Sequence, residues 1–463
     1  MRTIAIFLST LSLIALQGCG SSSDSATVPD STVDVVGGGE PAQEQSQQPG
    51  QEQSQEPNQE QSQEPNQEQS QEPGQEPTQG AAEEINIDGS LISIGAMEFV
   101  GAFALPSAKD DVSSLNFATG VIEVNGDSLF IAGHDHDDAI AEFAIPPLVA
   151  STQISDLHVA AEPQQSFVKI LDRAASGNPD SLNDITGLEL VGSKLIVNAV
   201  EFYDGPGDNR LSTLVVDNAF DLRGSTVSEF RSLEGLARAA GWISEVPDDI
   251  ASVIGGSHIS GFSSGGPIIS RLSVGPSAFV VDFESVQATD FATTIETKEI
   301  LGFSLDRPLN SDLLNATGEN KLWTHVSQAA FGFIVPGTKT YLTVGVSGGH
   351  DSGIGYKITQ NDGNLCGGFC SYGAQDNYNF YWLWNLDDLL RVDSGAASPD
   401  SIRPYEFGRL DLPFQTDDRF NAIGGASFDS QRNLLYVSVL KANNELGQFD
   451  NPPIIVAYRV NVR

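Results

Sequence analysis

Basic residues are scarce in this chain. Lys and Arg number 23 against 62 Asp and Glu, which leaves a formal net charge of −39. Such a surface repels phosphate backbones and anionic headgroups, so nucleic acid is excluded as a partner, while divalent cations become plausible companions. Cysteine is nearly absent: three occur in 463 residues, and the C-x3-C of Cys366 and Cys370 supplies only half a zinc site. No apolar run beyond Ile4–Leu16 approaches the length of a transmembrane helix. Glycine is plentiful, yet no phosphate-cradling loop is present. Ser263-Ser264-Gly265-Gly266 lacks the strand–turn–helix setting of a nucleophile elbow. Helix-forming stretches are few, confined to 233–243 ("LEGLARAAGWI") and 386–392 ("LDDLLRV").

What is present begins with a leader. Arg2 is a basic n-region, Ile4–Leu16 is an apolar stretch too short to span a bilayer, and together they predict a signal peptide over residues 1–18. Leu16-Gln17-Gly18-Cys19 resembles the lipobox of bacterial lipoproteins. The resemblance implies cleavage before Cys19, lipidation of Cys19, and, with Gly20 next, attachment to the outer membrane, on a side the sequence leaves open. The lipid anchor is then the only contact with the membrane. In an exported protein the leftover pair Cys366 and Cys370 reads as a local disulfide.

Residues 19–80 start Ser/Asp-rich, pass "VVGGGEPA" and then run as Gln, Glu, Pro and Ser in near-octapeptide repeats ("QEQSQEPN"). Such a chain buries too little apolar area to fold and predicts a tether with a root-mean-square reach of about 40–45 Å. Residues 81–463 carry a different repeat. "MEFVGAFALP", "QSFVKILDR", "VSEFRSLEG", "KEILGFSLDRP" and "YEFGRLDLP" alternate with segments that read as three strands each. Turns such as Asn125-Gly126 and Val191-Gly192-Ser193 suit tight hairpins. Five such units predict an all-β, five-bladed β-propeller, in which the N-terminal strand Met97–Pro106 completes the C-terminal blade. A stacked β-sandwich pair is the alternative.

On that topology, the loops between second and third strands share one face with the entries into innermost strands. Five of the six histidines, His134, His136, His258, His325 and His350, map there, leaving only His158 elsewhere. Asp138, Tyr203, Asp204, Arg210, Arg271 and Asp351 come to the same end. His134-x-His136 on an extended chain would set two imidazoles on one side and could chelate a divalent cation, zinc or calcium. Acid–base work is the competing use: His, Tyr and Arg could abstract a proton beside a uronic carboxylate, or Asp204 and Asp351 could form a glycosidase pair. The aromatic run Tyr378, Phe380, Tyr381, Trp382 and Trp384 reads mainly as core, with alternate rings able to stack on sugars.

The segments "GHDHDDAIAEFAIP", "GGPIISRLSVGPSAFVVDF" and "IGGASFDSQRNLLYVSV" resemble those of a group of exported bacterial propeller proteins. That resemblance implies the fold and brings no catalytic residues. Five-bladed propellers are also similar in plan to several glycoside hydrolase families, whose catalytic signatures are missing here. The expectation is an outer-membrane-anchored propeller binding an extracellular glycan or small molecule at its His/Asp-rich face. A glycoside hydrolase or polysaccharide lyase acting through that face, or an envelope interaction scaffold, are the alternatives.

Overall fold

The computed structural model describes residues 89–263, 273–283, 294–415, 421–447 and 449–462. The leader, Cys19, the tether and Arg271 lie outside the described residues. Gly80–Arg463 forms one compact unit. Among the described residues its strands build five blade sheets and one separate two-stranded sheet. Blade one holds β2 (Ile122–Asn125), β3 (Ser128–Ala132), β4 (Ala139–Ala144) and β5 (Gln165–Lys169). Blade two holds β6 (Asp184–Val191), β7 (Lys194–Val200) and β8 (Thr213–Val216); its expected fourth strand makes only the bridges Thr213–Arg231 and Val216–Val227. Blade three is β9 (Trp242–Glu245), β10 (His258–Gly261), β11 (Ala278–Val281) and β12 (Lys298–Leu301). Blade four is β13 (Gln328–Ile334), β14 (Thr340–Gly348), β17 (Asn377–Asn385) and β18 (Glu406–Arg409), with the hairpin β15 (Ile354–Tyr356) and β16 (Phe369–Ser371) inserted. Blade five is β19 (Ile423–Asp429), β20 (Leu434–Val439) and β21 (Ile454–Val460), and β1 (Met97–Ala104) pairs antiparallel with β21 at its outer edge.

The innermost strands close a ring: β2 packs on β6, β6 on β9, β9 on β13, β13 on β19 and β19 on β2. Side chains alternate along a strand, so each strand feeds two neighbouring cores. Leu129 and Ile131 join a cluster with Tyr436 and Ile455 of blade five, while Phe130 and Ala132 join Leu195 and Val197 of blade two. Both faces of the central strands are therefore buried. This explains β17, where Tyr378, Phe380, Tyr381, Trp382 and Trp384 are all core. The Trp382 indole donates to the Leu322 carbonyl at 3.0 Å and that of Trp384 to the Thr343 hydroxyl at 3.0 Å, so no buried N–H of theirs is left unpaired.

Glycine lets the innermost strands converge. A Cβ on Gly187 would stand 2.0 Å from the Gly241 carbonyl oxygen. The hairpin turns place Gly126 and Gly192 at φ 59° and 64°, values suited to the first central position of a type II′ turn.

Two expectations need correction. The segment 233–243 is not a helix: one 3₁₀ turn, Leu236–Ala239, leads into β9. Burial of Trp242 and Ile243 between blades overrides the local helix propensity of the Leu- and Ala-rich stretch. Consequently β10 is the second strand of its blade, and His258 opens that strand rather than an innermost one. It lies at the other end of the ring from His134. Among the described residues two α-helices occur, Asp248–Ile254 and Leu386–Asp393; the latter matches the expected 386–392 and is capped by the Asn385 side chain.

Candidate functional site

The ring leaves a mouth at each end, with a constriction between. The first mouth, a cavity of about 530 Å³, is made by the entries into the innermost strands and by second-to-third loops. Ser113 shapes one of these loops: its hydroxyl accepts the His134 N–H at 3.1 Å and donates to Asp137 at 2.9 Å. The Asp137 N–H donates back to the His134 carbonyl, so residues 134–137 form a tight turn, not the extended chain expected. The two rings lie 5.4 Å apart, and the His136 N–H donates to His134 Nδ1 at 3.2 Å. Asp135 Oδ1 stands 2.8 Å from the same nitrogen. Among the described residues no group of three or more His, Cys, Asp or Glu is disposed to hold a metal ion. The cation expected for His134 and His136 therefore lacks further ligands there.

Carboxylates gather around this turn. Burial raises the Asp138 carboxyl, Lys169 opposes it, and Asp172 and Asp137 add to it. Asp184, which opens β6, is pushed up to about 6 by burial, with the charges of Asp138 and Asp135 adding. Asp135, His136, Asn183 and Asp184 line the cavity together with Phe202, Trp242 and Phe262. Phe202 is 71% exposed, and its N–H donates to the Asn183 side chain at 2.8 Å, which fixes the loop over the mouth.

The remaining expected residues do other work. Tyr203 and Arg210 are exposed on the Phe202 loop. Asp204 is buried, accepting backbone N–H groups of Gly207 at 2.7 Å and of Asp208 and Asn209 at 3.3 Å, so it closes that loop. Asp351 binds Lys321 at 3.0 Å and Arg409 at 2.5 Å; the Lys321 hydrogen bond outweighs the opposing effect of burial and, with the Arg409 hydrogen bond and both charges adding, holds its carboxyl below the usual range. Each carboxylate expected for a glycosidase pair is thus engaged within its own surroundings, Asp204 with its loop backbone and Asp351 with Lys321 and Arg409. His350 is buried, donating from Nδ1 to the Asn320 carbonyl and accepting the Ser347 hydroxyl at Nε2, both at 2.7 Å. Burial lowers its pKa, and its ring packs between Tyr378 and Phe380. It is a core residue. His325 stacks on Phe369 of the inserted hairpin at 4.4 Å. Cys366 and Cys370 are joined in a disulfide on that hairpin.

Beyond the first mouth the channel narrows at Ile122, Leu188, Ile243, Phe331 and Ala426, where only about 10 Å³ stays open. The second mouth, a cavity of about 440 Å³, lies at the C-terminal ends of the innermost strands. It holds Glu123, Glu189, Glu245, Asp429 and His258. Burial and the charge of Glu245 push the Glu189 carboxyl up to about 8, and burial with the charge of Glu189 raises Glu123 well above its ordinary value. None of these acids stands out in the sequence, because each looks like the polar member of an alternating strand.

No known protein family matches the chain, and no curated protein matches it. Among solved structures, a phage phi92 endosialidase is similar at 11% identity and a TM-score of 0.33, covering 79% of this chain and 52% of its own. An ancestral GH74 enzyme is similar at 12% identity and a TM-score of 0.32, covering 74% and 47%. The RRP9 WD40 repeats are similar at 10% identity and a TM-score of 0.26, covering 73% and 66%. The chain thus spans about half the length of the first two.

Proposed function

We propose that this protein is a lipid-anchored β-propeller of the outer membrane that binds a neutral or amino-sugar glycan in its first mouth. The observation that carries the reading is the lining of that cavity. Exposed Phe202 offers a face for the C–H side of a sugar ring, while Asp135, Asn183 and Asp184 offer planar acceptors and an amide for its hydroxyls. Its lining includes carboxylates and, among the described residues, neither Lys nor Arg. A uronic polymer would meet like charge there, which disfavours the lyase reading. Hydrolysis is the second reading, favoured by Asp184: a carboxylic acid with a pKa of about 6 suits the proton donor of a glycoside hydrolase.

Glycan-array binding of the full chain tests this, followed by titration with the best neutral, amino-sugar and uronic hits. Phe202→Ala should weaken the preferred glycan about tenfold through loss of one stacking contact. If binding survives both Phe202→Ala and Asp184→Asn undiminished, the reading fails. Turnover abolished by Asp184→Asn with affinity kept would make the protein an enzyme; affinity lost with no turnover would make it a binder. The anchor is tested separately: Cys19→Ser should release the protein from the membrane fraction and abolish its labelling by palmitate.

A further inference from the structure

We propose that the second mouth is a separate binding site, for an organic ammonium cation of the aliphatic polyamine class. The site is built from the ends of all five innermost strands, and its 440 Å³ suits a ligand of that size. One wall is aromatic: Phe333 and Phe428 stack at 4.6 Å and Phe331 adds its ring 5.9 Å from Phe333. The lining also carries the acids Glu123, Glu189, Glu245, Asp248 and Asp429, and among the described residues no Lys or Arg lines the cavity. Carboxylates beside aromatic faces are the surroundings in which an alkylammonium ion exchanges water for charge and cation–π contacts. The methylene chain of the ligand would cover the Phe wall while its ammonium groups reach the carboxylates.

The acids are held in place from below. Glu123 is 8% exposed; its Oε2 accepts the Ser427 hydroxyl at 2.9 Å and its Oε1 the Leu190 N–H at 3.4 Å. Glu189 is equally buried, with His258 Nε2 at 3.7 Å from its Oε1. His258 Nδ1 is in turn 2.8 Å from the Ser257 hydroxyl.

A second observation points to a ligand. Ser244, on β9 and in the cavity lining, is 4% exposed, and its hydroxyl has no hydrogen-bond partner among the described residues. Asp429 Oδ2, in the same lining and also buried, likewise accepts no hydrogen bond there, with Arg432 3.6 Å away. Buried acceptors of this kind are costly unless something donates to them. An ammonium group carries up to three donors and no acceptor, which complements a wall of acceptors.

The charge balance gives the site a signature. The groups facing it are Glu123 on β2, Glu189 on β6, Glu245 on β9, Asp248 on the following helix, His258 on β10 and Asp429 on β19. With the acids held partly protonated by burial and by one another, an entering cation supplies the missing countercharge and drives protons off. Binding is therefore accompanied by proton release and tightens as pH rises toward 8.

Calorimetric titration of the full chain with spermidine at pH 8, in two buffers of different ionisation heat, tests the proposal. The expected result is saturable one-site binding with proton release, weakened at least tenfold by Glu189→Gln and severalfold by Ser244→Ala. Glu162→Gln, which removes an exposed charge outside both mouths, should leave it unchanged. The uncharged 1,8-octanediol should not bind. Circular dichroism confirms that each variant is folded. Ser244→Ala keeps the test decisive should Glu189→Gln not fold. The proposal is overturned if spermidine does not bind at millimolar concentration, or if Glu162→Gln weakens it as much as Glu189→Gln. It is equally overturned if the diol binds as well, or if magnesium chloride of equal ionic strength displaces spermidine completely, since both would mark diffuse attraction to an acidic protein.

Discussion

Replacing Glu189 by Gln should stabilise the propeller at pH 8 and leave it unchanged at pH 4.5. An acid whose pKa is raised on folding keeps its proton in the native state after the unfolded chain has lost its own. Stability is whole below the ordinary value of 4.5 and falls until pH reaches the folded value of about 8. At about 1.4 kcal/mol per pH unit, that interval costs about 5 kcal/mol. Glutamine has the shape of the protonated acid and does not titrate, so it removes the loss. Glu123 gains as well, since the charge of Glu189 is one cause of its own raised pKa. Unfolding entropy of about 2.1 cal/mol/K per residue, over a unit of the size of Gly80–Arg463, turns 5 kcal/mol into a rise of about 6 °C in Tm. Thermal melts followed by circular dichroism in amine-free phosphate and acetate buffers, with urea unfolding alongside, would measure it. A variant that melts at or below the wild-type temperature at pH 8 would refute the reasoning, as would an equal gain at both pH values.

Asp184→Asn should follow the same sign over a lower window: no effect at pH 3.8, and a higher Tm than wild type at pH 7.5, because the Asp184 carboxyl titrates at about 6 in the fold. His350→Ala should cost about 3 kcal/mol in urea unfolding, through two lost hydrogen bonds and a cavity between Tyr378 and Phe380. Because burial lowers the His350 pKa, its contribution is present above the ordinary value of 6.5 and lost as pH falls below it, so the wild-type advantage should shrink between pH 7.5 and 5.5. Gly187→Ala should cost about 3 kcal/mol or more, since its Cβ meets a backbone carbonyl that cannot turn aside. A melt within 1 °C of wild type would show that β6 and β9 can part without loss.

The blades were legible because their turns and strand alternation are local signals. Asn125-Gly126 and Val191-Gly192-Ser193 announce hairpins, each joining an innermost strand to the second strand in register. Blade three hid its innermost strand, for β9 is four residues long and follows a Leu- and Ala-rich turn that reads as helix. His258 therefore sits at the opposite end of the ring from the one its sequence position suggests. The second mouth was illegible for a deeper reason. In "VIEV" and "LELV" the glutamates look like the solvent side of a half-buried sheet, and only closure of the ring turns that side inward. The histidines misled in the opposite sense: His350 is polar in sequence, yet the fold satisfies both its nitrogens and buries it. The face of Asp184 follows from its position before "ITGLEL", but its raised pKa depends on burial and on neighbours from another blade.

The pairing of β1 with β21 also sets a schedule for folding. Partners on the two strands stand far apart in the chain: the bond from Asn461, just past β21, to Glu98 spans 363 positions. Blades one to four can assemble from nearby segments as the chain emerges, whereas this ladder must wait until the last strand exists. Until then, among the described residues, β1 is held only by its bridges from Ala102 to Val149 and from Ala104 to Val159, and its unpaired edge is a template for strand exchange with another copy. A chain truncated anywhere within blade five would therefore lose more than its final strands. It would also leave the β21-facing edge of β1 unpaired.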